Sequence, residues 1–239
     1  MAKSNREIVA TKNIMEAIHT RLFIFFIFCT LSLTGCEDDE VLGINLDHQT
    51  IVDLELPFNH SWFVVWGGRT IEKNYHASLT DQRFAIDVVQ LENGSTFSEN
   101  GLRNEDYHCF GDTLYAPGQG QIVEMENLVP ENIPRQTNKN QLFGNYVIID
   151  HGNDEYSVLA HLMKNSITAT VGDTVAKGQV IGLVGNSGNS TEPHLHYHLQ
   201  NKPSISQGEG LPAQFRNYFA NGVFVSVGEP LKNQEIRKD

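Results

Sequence analysis

The chain has 239 residues, 17 Lys and Arg against 29 Asp and Glu, and a formal net charge of -12 at pH 7. This balance excludes a nucleic-acid surface, which needs a basic stripe, and gives no electrostatic attraction to anionic lipid. The length accommodates one domain of ordinary size plus export and linker segments.

In chain order, the first element is the apolar run Leu22 to Leu31, preceded by Arg21. It is too short to span a bilayer comfortably and has the length of a signal-peptide core. It ends in Leu33-Thr34-Gly35-Cys36, which resembles a bacterial lipobox, so residues 1–35 are expected to be a lipoprotein signal peptide and Cys36 the lipidated residue. An ordinary secretory signal with an incidental cysteine is the alternative, and Met15 competes with Met1 as the start. With Cys29 removed and Cys36 lipidated, Cys109 has no intramolecular disulfide partner and reads as a small core residue. The cluster Glu37-Asp38-Asp39-Glu40 marks residues 36–52 as an acidic, solvated tether.

From about Ile51 the chain turns to short β-branched runs separated by Gly and Asn/Asp clusters: 63–66, 84–89, 121–123, 146–149 and 180–184. The pattern predicts an all-β domain of antiparallel hairpins over residues 53–228. Residues 129–140, polar and proline-containing, read as a long loop able to line a groove. Residues 171–181 read as a hairpin, 212–219 as a turn of helix, and 229–239 as a flexible C-terminal tail.

The segment Thr191 to His198 places histidines at alternate positions in a strand-like run, behind the small-residue loop Gly185 to Ser190. Residues two apart on a strand share a face, roughly 7 Å apart. One such imidazole can bind a metal while its neighbour reaches a substrate carbonyl. Upstream partners of suitable chemistry are His76 in Asn74-Tyr75-His76, Asp87 in Phe84 to Val89, and His161 at the end of Tyr156 to Leu162.

Together with Tyr115-Ala116-Pro117-Gly118, Gly144 to Gly152, Ala160-His161-Leu162, Gly172-Asp173 with Lys177-Gly178-Gln179, and Gly185 to His196, these residues carry a resemblance. The chain resembles the M23 zinc metallopeptidases, the lysostaphin and LytM type of peptidoglycan endopeptidase, from about His76 to Gln200. The resemblance implies an antiparallel β-sheet or sandwich of the duplicated-hybrid-motif type with a metal groove. It implies one Zn2+ held by His76, Asp87 and His196, with His161 and His194 as the catalytic, non-ligand histidines. Asn145 and His198 are the candidates for hydrogen-bond support behind the ligands. One departure is the spacing of His76 and Asp87, which is longer than the three residues of the best-known members. A hairpin excursion over residues 77–83 would let both reach one ion from adjacent strands, and His60 is the substitute ligand.

The implied activity is hydrolysis of peptide bonds in peptidoglycan cross-links or stem peptides, in the cell envelope, facing the periplasm or the exterior, with membrane attachment through the lipid. A catalytically silent wall-binding or hydrolase-activating protein on the same fold is the alternative. A phosphotransfer domain also shares the fold, but it would be cytoplasmic, against the lipobox. His48, His60, His108 and His151 read as structural.

Overall fold

The computed structural model describes residues 47–239. The expected signal peptide, Cys36 and the acidic cluster lie outside the described residues.

The described chain is nearly all β. Its strands are β1 (Trp62–Trp66), β2 (Ile86–Val89), β3 (Thr113–Tyr115), β4 (Gly120–Glu126), β5 (Asn145–Asp150), β6 (Tyr156–Leu162) and β7 (Thr174–Val175). They continue with β8 (Val180–Leu183), β9 (Leu195–Gln200), β10 (Gly210–Leu211), β11 (Phe215–Ala220), β12 (Val223–Gly228) and β13 (Glu235–Lys238). An 11-stranded sheet runs β12-β11-β13-β1-β2-β9-β6-β5-β4-β7, with β10 against β9, while β3 and β8 form a second, two-stranded sheet. Every pairing between named strands is antiparallel.

The centre of the large sheet is its most buried part. All six residues of β9 are buried, including His196, His198 and Gln200, because one of its faces meets the hydrophobic core and the other a polar cluster. Leu195, Tyr197 and Leu199 point into that core with Trp62, Val64, Val88, Val147, Leu159 and Phe215. The alternation of period two therefore separates an apolar face from a histidine face on one strand.

Three expectations about the chain's organisation are corrected. The C-terminal tail is no tail: β13 lies between β11 and β1, with Ile236 fully buried opposite Trp62. Its alternation is only four residues long and mostly charged, so pairing on both sides, rather than local hydrophobicity, makes it a strand. Residues 212–219 hold no helical turn; β11 occupies their second half and continues through Asn221 (φ 50°) and Gly222 (φ 78°) into β12. Asn-Gly at two positive-φ positions is the preferred two-residue hairpin turn. The tether docks before residue 53. Thr50 donates from N to Gln214 Oε1 (2.7 Å) and from Oγ1 to the Pro212 carbonyl (2.9 Å). The fully buried Glu155 carboxylate accepts from the Ile51 and Val52 amides, both at 2.7 Å.

Nor do residues 171–181 form a paired hairpin. β7 pairs with β4 and β8 with β3, so the turn at Gly178 (φ 79°) carries the chain from one sheet to the other. Residues 129–140 do form a loop without regular strands. It is strapped to the small-residue segment by Asn132 Nδ2 to the Gly188 and Ser190 carbonyls (2.7 and 2.9 Å) and by the Arg135 amide to the Thr191 carbonyl (2.6 Å).

Candidate active site

Two of the candidate residues are brought together by strand register alone. β2 and β9 pair antiparallel with Asp87 directly opposite His196, and Nδ1 of His196 lies 2.8 Å from Asp87 Oδ1. His76 arrives differently. It lies in a short 3-10 turn, Tyr75–Ser78, and not on a strand, which corrects the expected hairpin excursion. Its Nε2 is 3.6 Å from Asp87 Oδ2. His76, Asp87 and His196 each offer one ligand atom, and these atoms all lie within 4.8 Å of one another.

The turn is held by Asn74, a fully buried residue that sequence reasoning passed over. Its Nδ2 donates to the Gly68 and Ala85 carbonyls at 3.0 and 2.8 Å. The amide oxygen is thereby turned toward His76, where it accepts from the backbone N (3.2 Å) and from ring Nδ1 (2.9 Å). With its proton on Nδ1, His76 presents the Nε2 lone pair to Asp87. The only sequence signal was an Asn two residues before the histidine.

His161 owes its position to a bulge. Asn145 pairs with Leu162 and Tyr146 with Ala160, leaving His161 as the extra residue, at φ 63°. Bulges re-aim side chains and are common beside active sites, and a positive φ on a non-glycine residue costs of order 1–3 kcal/mol. Nδ1 of His161 donates to the Ser187 carbonyl (2.8 Å). His194, just before β9, places its Nδ1 2.8 Å from the Glu192 carbonyl and 3.1 Å from Ser190 Oγ, with Nε2 3.9 Å from Asp87 Oδ1. The two rings lie 4.8 Å apart, centroid to centroid. His161, His194 and Asp87 line an open groove with Trp66, Tyr75, Thr137 and Glu192.

Burial keeps His76, His196 and His161 neutral. It pushes His76 down to about 3 against the opposing pull of Asp87, and holds His196 and His161 well below the usual histidine range, with neighbouring histidines adding to the effect. Neutral imidazole is the ligating form. Two imidazole nitrogens and a carboxylate converging in this way suit a zinc ion, whose catalytic sites use three such ligands and leave a fourth position open.

The remaining candidates separate. His198 lies behind His196, its Nδ1 3.0 Å from that ring's Nε2. Asn145 makes its side-chain bonds with the Val129 amide and with the Val129 and Leu162 carbonyls, beside His161, and not with His76, Asp87 or His196. His60 is exposed at φ 65°, in a different hollow beside Asp112 and Tyr115. His151 spans the Gln119 carbonyl and Ser157 Oγ, 2.7 Å each. His48 meets Glu155 at 2.9 Å.

Residues 105–206 match peptidase family M23, a stretch that holds His161, His194 and His196 and begins after His76 and Asp87. Over 89 residues the chain is 39% identical to the peptidoglycan DD-endopeptidase ShyA of Vibrio cholerae, covering 37% of this chain and 17% of that protein. Over 96 residues it is 37% identical to ShyC, a peptidoglycan DD-endopeptidase of the same organism, covering 40% and 19%. The match thus spans less than a fifth of the length of either relative. A crystal structure of a zinc-containing peptidase from Vibrio cholerae superposes with a TM-score of 0.43 at 18% identity, covering 68% of this chain and 40% of the other. Over residues 105–206 the chain is thus similar to peptidase family M23.

Proposed function

We propose that this chain is a zinc-dependent endopeptidase hydrolysing peptide bonds in peptidoglycan cross-links or stem peptides, in the cell envelope and tethered by lipid on Cys36. The observation that carries the reading is the convergence of His76 and His196 on Asp87, which lines a groove that also contains two further imidazoles. Relatives named peptidoglycan DD-endopeptidases support the substrate class.

His76 Nε2, an oxygen of Asp87 and His196 Nδ1 would hold the zinc. When bound, the ion supplies a water acidified toward neutrality and a Lewis acid for the scissile carbonyl. His161 and His194 both have Nδ1 against backbone carbonyls, which leaves Nε2 free for the groove. From there one ring would accept the proton of the attacking water at Nε2 and, protonated there, donate to the oxygen on which charge develops; the other ring would donate to that oxygen once it too is protonated at Nε2. Trp66 and Tyr75 wall the groove on the His76 side, and Thr137 and Glu192 also line it. An extended peptide would lie between these walls.

The test is zinc content and digestion of cross-linked peptidoglycan by the purified chain, with the released peptides identified by mass spectrometry. One zinc per chain and cleaved cross-links or stems are expected. His161→Ala and His194→Ala should keep the zinc and lose roughly 100-fold or more in turnover. An unsubstituted chain without zinc or without cleavage would end the proposal, and near-normal turnover in both variants would remove the assigned roles.

A further inference from the structure

The second histidine of β9, His198, is fully buried and does not line the groove. Its Nδ1 faces His196 Nε2 at 3.0 Å, and its Nε2 faces Gln200 Oε1 at 3.1 Å. Gln200, also fully buried, donates from Nε2 to the Lys202 carbonyl (2.6 Å) and the Ser204 carbonyl (3.1 Å). Residues 196, 198 and 200 share one face of the strand, so the contacts form a single file leading away from the ligand cluster.

The polarity of this file is decided at its far end. Backbone carbonyls only accept, so the Gln200 amide must turn its nitrogen to Lys202 and Ser204 and its oxygen to His198. An amide oxygen only accepts, so His198 must carry its proton on Nε2 and a lone pair on Nδ1. His196 must then donate from Nε2, which leaves the lone pair of its Nδ1 pointing at Asp87, 2.8 Å away. Two acceptors facing one another at that distance are stabilised by a shared cation. The reverse polarity would instead set a lone pair of His198 against the Gln200 oxygen in a fully buried place, at a cost of about 1–3 kcal/mol for the unmade bond.

We infer that His198 and Gln200 are positioning residues that select, from the carbonyls of Lys202 and Ser204, the nitrogen with which His196 binds the metal. The far end is itself tethered: Ser204 Oγ donates to Glu124 Oε2 at 2.7 Å, and Tyr146 donates its hydroxyl to Glu124 Oε1 at 2.6 Å. Phe143 packs against both rings, 6.1 Å from His196 and 5.9 Å from His198. The loop beyond β9 is thus linked to His196 through Gln200 and His198. The inference rests on the zinc reading above.

Zinc affinity of the full chain, measured by competition with a chromophoric chelator, tests it, with circular dichroism to check the fold. His198→Leu and His198→Asn remove the same ring and have nearly the same shape, but only Asn keeps an acceptor where Nδ1 stood. The Leu variant is expected to lose about 10–100-fold in affinity, as loss of partners behind metal ligands does, and the Asn variant to recover a large part of that loss. Equal affinities of the Leu and Asn variants, or a folded Leu variant that binds as the unsubstituted chain does, would overturn the inference. If neither variant folds, Gln200→Met decides: weaker zinc binding supports the relay and unchanged binding overturns it. An unsubstituted chain that binds no zinc would instead overturn the reading on which the inference stands.

Discussion

Asp87 and His196 on one side, and His76 on the other, reach the same point by different means. The first two sit opposite one another on β2 and β9, and the ladder that aligns the strands also aligns the side chains. His76 sits in a 3-10 turn with no sheet neighbour, and the Asn74 side chain does for it what strand pairing does for the others. Strand-borne candidate ligands share the sheet's rigidity, whereas a turn-borne candidate is only as well placed as the one side chain that braces it.

The largest effects should come from removing the strand-borne pair. Asp87→Ala and His196→Ala should each bind no stoichiometric zinc and lose roughly 1,000-fold or more in turnover, since the metal supplies several kcal/mol of transition-state stabilisation. Metal analysis after dialysis and peptidoglycan digestion read this directly, and a zinc-replete variant of either kind would show that the ion binds elsewhere. His60→Ala, by contrast, should change neither quantity.

An intermediate effect should follow from unbracing the turn. Asn74→Ala leaves His76, Asp87 and His196 unsubstituted but frees the His76 ring and strips two buried carbonyls of their donor. A drop of about 10–100-fold in zinc affinity is expected. Affinity equal to that of the unsubstituted chain would mean that the turn backbone alone holds His76, and the contrast with the strand-borne ligands would disappear.

The smallest effect concerns acid stability away from the groove. Burial pushes His151 below its ordinary value of 6.5, so it is neutral in the folded chain while the unfolded chain takes up a proton below that pH. The stability conferred by its two hydrogen bonds is complete above about pH 6.5. It falls as the pH drops below the unfolded value, by at most about 1.4 kcal/mol per pH unit. His151→Gln keeps a donor and an acceptor but cannot titrate. Its denaturant midpoint should shift less than that of the unsubstituted chain between about pH 7.5 and about pH 5.5. Identical shifts would assign the acid sensitivity to the histidines around the groove.

The sequence made the β9 region legible because period-two spacing of histidines on an apolar strand is a local pattern, and the glycine-rich run before it marks a loop. An all-β reading followed from the same short-range signals. What stayed hidden depends on partners distant in sequence. The bulge at His161 exists only in its pairing with Asn145 and Tyr146, and β13 exists only because β1 and β11 flank it. Asn74 looked like any loop asparagine because its acceptors, Gly68 and Ala85, are gathered by the fold. The strand at 215–220 could have been read from Asn221-Gly222, the one missed element whose cue was local.

The interior place of β13 also bears on how the chain reaches this state. β1, with the sequence WFVVW, bonds to β2 on one side and to β13 on the other. In a growing chain the second partner arrives roughly 170 residues later, and at about 5–20 residues per second the wait is on the order of ten seconds. For that interval an aromatic-rich strand has a bare edge, the kind of template that recruits other chains. Closing a loop of that length is a slow step in folding. The final strand therefore acts as a timing element: the chain remains open to chaperones, to export machinery and to misassociation until Ile236 packs opposite Trp62.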